Sequence, residues 1–270
     1  MSDSRINKAH EIRARKINKT IRICTADINV EIRCPYGSAF GNFKKYLKKF
    51  DKPDISFDIT QEDIDEERLL HPEIWNPDVS VNHENVAVTY DYGCLEPFVA
   101  LKKISDAVIH FDTFLFHGAV VEKDGYAYMF TAPSGVGKTT RLKLWLESYP
   151  DSIVVNGDKP FIRVTDEDIY ACGSPWAGKE GWNNNVIVPL RAVFFVERAE
   201  NNLDNVVTEM GIGKAFPMLL QQVHYPKDPV ALRKTLQLLQ ATDGKVRFYK
   251  FRGAPTKEAV QLAYETARPR

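Results

Sequence analysis

YAYMFTAPSGVGKTTRLKLWLE, residues Tyr126 to Glu147, is the stretch on which the fold reading rests. It opens with alternating apolar residues (Tyr126, Tyr128, Phe130) that suit a short buried strand. Ala132-Pro133-Ser134-Gly135-Val136-Gly137-Lys138-Thr139 follows, and then Leu142, Leu144, Trp145 and Leu146, a run suited to a helix. Strand, glycine-bearing loop and helix in that order form the setting of a phosphate-binding loop, the Walker A motif. The first N–H groups of a helix have no intrahelical partners, and the dipole at that end favours an anion. Gly135 and Gly137 let the backbone curl its amides around a phosphate. Lys138 is placed to reach the β- and γ-phosphates, and the Thr139 hydroxyl to hold a magnesium ion bridging them. Ser134, Gly135, Val136, Gly137, Lys138, Thr139 and Thr140 are therefore the candidate nucleotide-binding residues, with a nucleoside triphosphate or diphosphate and magnesium as the expected ligands. Ala132 stands where the motif usually has its first glycine.

Composition narrows the partners. The chain has 270 residues, enough for one large or two modest domains. Lysine plus arginine equals aspartate plus glutamate at 36 each, which argues against nucleic acid as the main partner. No apolar run approaches the roughly 18–20 residues a membrane helix needs, and the polar first residues lack a signal-peptide core. Cys24, Cys34, Cys94 and Cys172 form no CxxC pair and read as reduced thiols. A cytoplasmic protein without membrane attachment is expected, and a homo-oligomer is compatible with everything in the sequence.

Upstream of the loop, residues 1–20 read as a frayed or docking terminus. Thr20–Cys34 alternates, with Ile28, Val30, Ile32 and Cys34 on one face, which predicts a half-buried antiparallel strand pair. Ser38–Phe50 carries Phe40, Phe43, Tyr46, Leu47 and Phe50 at helical spacing, and Lys44, Lys45, Lys48 and Lys49 read as its solvated face. Ile55, Phe57 and Ile59 predict a strand, and Gln61–Arg68 a loop or short helix. Val79–Val81 and Val86–Val88 predict a hairpin about Asn82–Asn85. Pro97–His110 predicts a buried helix that includes Phe98, Leu101, Ile104 and Val108. Residues 1–110 thus read as a smaller α+β portion without a chemical site.

From residue 111 the core begins. Phe114–Val121 is apolar and Lys123-Asp124-Gly125 is a tight-turn signal, so two antiparallel strands lead into the loop. Further strands are expected at Ser152–Asn156, Phe161–Val164, Ile169–Cys172, Ala192–Val196 and Arg247–Phe251. Helices are expected at Phe216–His224, Pro229–Gln240 and Thr256–Ala267, the last capped by Thr256.

Phosphoryl transfer needs a metal-holding carboxylate, and commonly a base within reach of the acceptor hydroxyl. Asp158, at the end of the strand after the loop's helix, fits either role; in Gly157-Asp158 it would also fit a turn. His117, in Phe116-His117-Gly118, fits a satisfied core histidine or a site residue. Gly173–Asn185 packs small, charged and amide residues beside Trp176 and Trp182. Its length and its functional groups favour a site, with Glu180 as a candidate metal ligand and Lys179 as a candidate phosphate contact. Three glycines suggest a mobile lid in this segment.

His117-Gly118, the hairpin, the Ala-Pro-Ser-Gly-Val-Gly-Lys-Thr loop and an acidic strand end at Asp158 together resemble the HPr kinase/phosphorylase group. That group shares its core with ATP-dependent phosphoenolpyruvate carboxykinase. The resemblance spans about Phe111 to Arg270. It implies the α/β class: a phosphate-loop core with a mixed sheet of that type over residues 111–270, with the smaller α+β portion ahead of it. It also implies a catalytic role for His117 and Lys138, with Asp158 as base or metal ligand beside Thr139 and Glu180. Family members usually carry two adjacent aspartates where this chain has Gly157-Asp158. Their further glutamate, in a Glu-Ile-Arg-Gly stretch, has a loose counterpart in Glu180-Gly181. Related members phosphorylate a serine on ribosomally made peptides, or free serine. The function expected is an ATP- and magnesium-dependent kinase acting on a hydroxyl of a peptide or protein, serine first. A kinase of a small hydroxylated metabolite and a non-catalytic nucleotide-sensing module are the alternatives.

Overall fold

The computed structural model describes residues 16–70, 92–133, 135–197 and 205–269. The amino-terminal stretch before residue 16, the expected hairpin at 79–88 and Ser134 lie outside the described residues. The chain divides into two compact units, Met1–Ile23 with Asn29–Ile104, and Cys24–Ile28 with Ser105–Arg270.

In the first unit a three-stranded sheet runs in the order β1 (Lys19–Thr25), β2 (Ile28–Cys34), β3 (Ile55–Asp58), with β3 parallel to β2. Ala26 and Asp27 both have positive φ, the two-residue turn that matches the twist of a hairpin. The alternation on β2 is as expected, because Ile28, Val30, Ile32 and Cys34 are all buried. The helix expected over Ser38–Phe50 is instead α1 (Phe40–Phe43) and a single 3₁₀ turn, Lys44–Tyr46. Gly41 and Asn42 are weak helix formers, α1 has no side-chain cap, and Leu47 leaves to form a bridge with Ile23. The acidic run becomes a true helix, α2 (Gln61–Leu70). Its start is a capping box: the Thr60 hydroxyl accepts from the Asp63 N–H at 3.2 Å, and Asp63 Oδ2 accepts from the Thr60 N–H at 2.7 Å. The α3 helix (Glu96–Ala107) places Glu96 fully inside, where its carboxylate accepts from the N–H groups of Tyr36, Gly37 and Ala39. Phe98, expected on the buried face of this helix, is 44% exposed.

The second unit is built on a nine-stranded mixed sheet. Its main path runs β4 (Thr113–Leu115), β8 (Phe161–Val164), β9 (Ile169–Cys172), β10 (Ile187–Glu197), β6 (Tyr126–Thr131), β5 (Ala119–Lys123), β7 (Ile153–Asn156). The long β10 is the hinge of the sheet. Its first residues pair antiparallel with β9, and later ones pair parallel with both β6 and β12 (Arg247–Arg252). The β11 strand (Val206–Met210), which sequence patterning missed, adds antiparallel to β12. Its residues are mostly exposed or half-buried, so it lacks the apolar run that announces a core strand.

Both faces of the sheet are covered, and strand alternation assigns the side chains. Ala127, Met129, Val193 and Phe195 face one core with Leu219 and Leu238. Those two belong to α5 (Ile212–Leu220) and α6 (Pro229–Gln240). Tyr128, Phe130, Phe194 and Tyr249 face the other, with Trp145 on α4 (Lys138–Ser148) and Tyr264 on α7 (Lys257–Ala267). Phe194 stacks between Phe130 and Tyr249 at 5.3 and 5.2 Å. α5 starts at Ile212, four residues before the expected Phe216, with Gly211 ahead of it in extended conformation, and ends at Leu220, beyond which Val223 bridges to Phe116 and the His224 N–H donates to the Leu115 carbonyl. α6 and α7 begin as expected, α7 with the Thr256 hydroxyl accepting from the Ala259 N–H. No helix among the described residues is long and apolar enough to cross a membrane.

Candidate active site

Register brings three strand ends to one edge of the sheet. Ala119 at the start of β5 is opposite Phe130 near the end of β6, and Val120 is opposite Asn156 at the end of β7. What precedes β5 (His117), follows β6 (the glycine loop) and follows β7 (Asp158) must therefore meet.

The glycine loop enters α4 through two left-handed residues, Gly135 at φ +78° and Gly137 at φ +105°. A side chain at either would be strained whatever the space around it. Val136 packs its side chain against the core beneath the loop. Lys138 is only 8% exposed and donates to the Ala132 carbonyl at 2.8 Å, so its ammonium lies back along the loop. Burial lowers its pKa, and the charge of Asp158 opposes that shift. Thr139 is half-buried and Thr140 exposed.

Asp158 follows a turn that it does not itself make. The Asn156 Oδ1 accepts from the N–H groups of Asp158 and Lys159 at 2.9 and 2.7 Å, an Asx turn that leaves the Asp158 carboxylate free to face the site. His117 Nε2 lies 3.3 Å from Asp158 Oδ1. Backbone bonds hold the two segments together: Gly118 N–H donates to the Asp158 carbonyl and Phe116 N–H to the Pro160 carbonyl. Burial alone would raise the pKa of Asp158. The hydrogen bond from His117 and the charges of His117, Lys159 and Lys138 outweigh it and hold the carboxyl below its ordinary value. One carboxylate thus faces three basic side chains.

Sequence reasoning missed three residues that build this arrangement. Gln222, just after α5, accepts the His117 backbone N–H at 2.8 Å on its carbonyl and places its side-chain oxygen 3.1 Å from His117 Nδ1. Asn156 is fully buried and also donates to the Ser174 and Trp176 carbonyls. Its signal was available, since Asn before Gly-Asp at a strand end is an Asx-turn pattern. Arg141, one turn into α4, is the third.

The Trp-rich segment is more firmly tied than a lid with free joints. Asn183 donates to the Ser174 carbonyl, Asn184 to the Val154 carbonyl, and Gly157 N–H to the Trp182 carbonyl. Trp176 is buried, and Trp182 packs against the aromatic core. Its exposed residues are Gly178 to Gly181 at the tip and Asn185 at its end. Lys179 sits on that tip. Glu180, beside it, lies 3.9 Å from Lys143 of α4. Among the described residues no group of three or more His, Cys, Asp or Glu side chains gathers to hold a metal ion. Thr139, in the first turn of α4, and Asp158, just after β7, both lie at the loop end of the sheet.

No family model matches this sequence, and no curated protein matches it. Among solved structures the chain is similar to the structure of the Hpr(Ser) kinase/phosphatase from Coxiella burnetii. The TM-score is 0.32 and the identity 9%, over 56% of this chain and 97% of that one. At that score the relation is distant at most. The site's own geometry has to carry the functional argument.

Proposed function

We propose that this chain is an ATP- and magnesium-dependent kinase that phosphorylates a hydroxyl, serine first, of a peptide or protein. The observation that supports it is the His117–Asp158 pair beside the glycine loop, a carboxylate and an imidazole at the edge where a phosphate chain would end. The residues fit such a ligand. Two left-handed glycines open the loop, a buried lysine lies along it, and basic charge exceeds acidic at the site. Bound ATP with magnesium would supply the phosphoryl group.

In this reading the loop amides and Lys138 orient the phosphates. Asp158, ionised at neutral pH, receives the acceptor hydroxyl on the oxygen not engaged by His117, or shares the metal with Thr139. His117 keeps that carboxylate in place beside the transferred group. Lys179 and Glu180, on the exposed tip of the Trp-rich segment, would add a phosphate contact and a metal ligand if that tip turned toward the loop.

A second reading has one observation in its favour. A Cβ at Gly157 would sit 3.3 Å from the carbonyl oxygens of Ala177 and Trp182, so a second carboxylate there would press on both. A nucleotide sensor would need none. Incubation with γ-labelled ATP and serine peptides, with free serine in parallel, separates the readings. Label transferred to a peptide supports the proposal; tight ATP binding without transfer to either acceptor supports the sensor.

A further inference from the structure

Arg141 lies beneath the glycine loop and is 2% exposed. Its Nη1 is 3.4 Å from both the Val136 and the Gly137 carbonyl oxygens, and its Nη2 donates to the Gly253 carbonyl at 2.8 Å. The guanidinium also lies 5.1 Å from the centre of the Phe251 ring. Among the described residues no carboxylate pairs with it, and burial pushes its pKa down to about 10, still charged at neutral pH. The Gly253 backbone passes close to Asn205, since a Cβ there would fall 2.4 Å from Asn205 Oδ1.

Peptide planarity turns this into a statement about the ligand side of the loop. In a trans peptide the carbonyl and the following N–H point in opposite directions. A guanidinium that draws the Val136 carbonyl downward therefore aims the Gly137 N–H up and away from itself, and the Gly137 carbonyl, held by both the guanidinium and the Arg141 backbone N–H at 3.1 Å, turns the Lys138 N–H the same way. Those are the amides that a phosphate on the helix N-terminus would meet. A buried cation is costly to keep, and a methionine or leucine would fill the same space more cheaply.

We propose that Arg141 is a positioning residue of the loop, clamping two consecutive peptide planes to the Gly253 turn so that their amides already face the phosphate site. The inference rests on the phosphate-loop reading and deepens it. It touches no reacting atom, and a lysine cannot replace it, because one ammonium lacks the planar fork that spans three carbonyls.

The test uses the full chain with inorganic tripolyphosphate and with magnesium–ADP, titrated by calorimetry. Arg141→Lys is expected to lose about tenfold or more in affinity for both, although the charge is kept. Arg141→Ala is expected to regain binding when millimolar ethylguanidinium is added, a rescue that a merely structural residue would not show. A lysine variant that binds as well as the wild type would overturn the proposal. A wild-type protein that binds neither probe would instead remove the phosphate-loop reading itself. Should the variants not fold, backbone ¹⁵N relaxation of the wild type decides: the Gly137 and Lys138 amides are expected to have equally high order parameters with and without tripolyphosphate. Ordering only on addition of tripolyphosphate would sink the clamp.

Discussion

His117 Nε2 stands 3.3 Å from Asp158 Oδ1, while the other ring nitrogen, Nδ1, stands 3.1 Å from Gln222 Oε1. The ring is thus held between two oxygens that come from different parts of the sheet edge. Its orientation is set from both sides, and it engages one oxygen of the carboxylate.

Removing the carboxylate charge while keeping its shape tests which role Asp158 fills. Asp158→Asn is expected to lower transfer by at least ~10²-fold, in the range of a general base, with a smaller loss of magnesium–nucleotide affinity. Rate and affinity falling by one common factor would make Asp158 chiefly a metal ligand.

Gly157→Asp restores the paired aspartates of the family that the sequence resembles. It is expected to destabilise by about 1–3 kcal/mol rather than to improve transfer, because the new Cβ meets the Ala177 and Trp182 carbonyls. Thermal unfolding of the variant beside the wild type measures this, and a variant of equal stability and higher rate would contradict it.

Lys138→Met should abolish transfer and weaken nucleotide binding by about tenfold or more, since the loop loses the cation aimed at the phosphates. The ligand-free protein should keep its melting temperature within a few degrees. Burial already disfavours the ammonium, and its loss offsets the lost bond to the Ala132 carbonyl. Unchanged turnover would remove Lys138 from the site.

The pH dependence of the first unit should be visible at the α2 cap. Burial opposes the lowering of the Asp63 pKa, and the hydrogen bonds from Lys103 and Thr60 prevail, so the carboxyl titrates below its ordinary 3.8 when folded. Its stabilisation is therefore full above pH 3.8 and is lost as pH falls through the lowered folded value. Asp63→Asn should cost about 1 kcal/mol at pH 7 and nearly nothing once the wild-type carboxyl is protonated. Denaturant melts at both extremes of pH check it, and a pH-independent difference would contradict it.

The sequence alone determined the elements whose signal is local. Strand β6, the glycine loop and α4 could be read from one stretch, because alternation, glycine and helical spacing are properties of neighbouring residues. The antiparallel hairpin ahead of the loop, the strands from β7 to β10 and the Thr256 cap were legible for the same reason. Weak or mixed signals failed: Gly41 and Asn42 cut short an apparently periodic helix, and β11 had too little apolar character to be seen. Tertiary structure alone decided the companions of the site. Asn156 making the Asx turn, Gln222 reaching His117 and Arg141 reaching Gly253 are contacts between residues far apart in the chain, set by the register of β5, β6 and β7. Local periodicity carries no information about which distant amide or carbonyl will lie within three ångströms; only the closed sheet does.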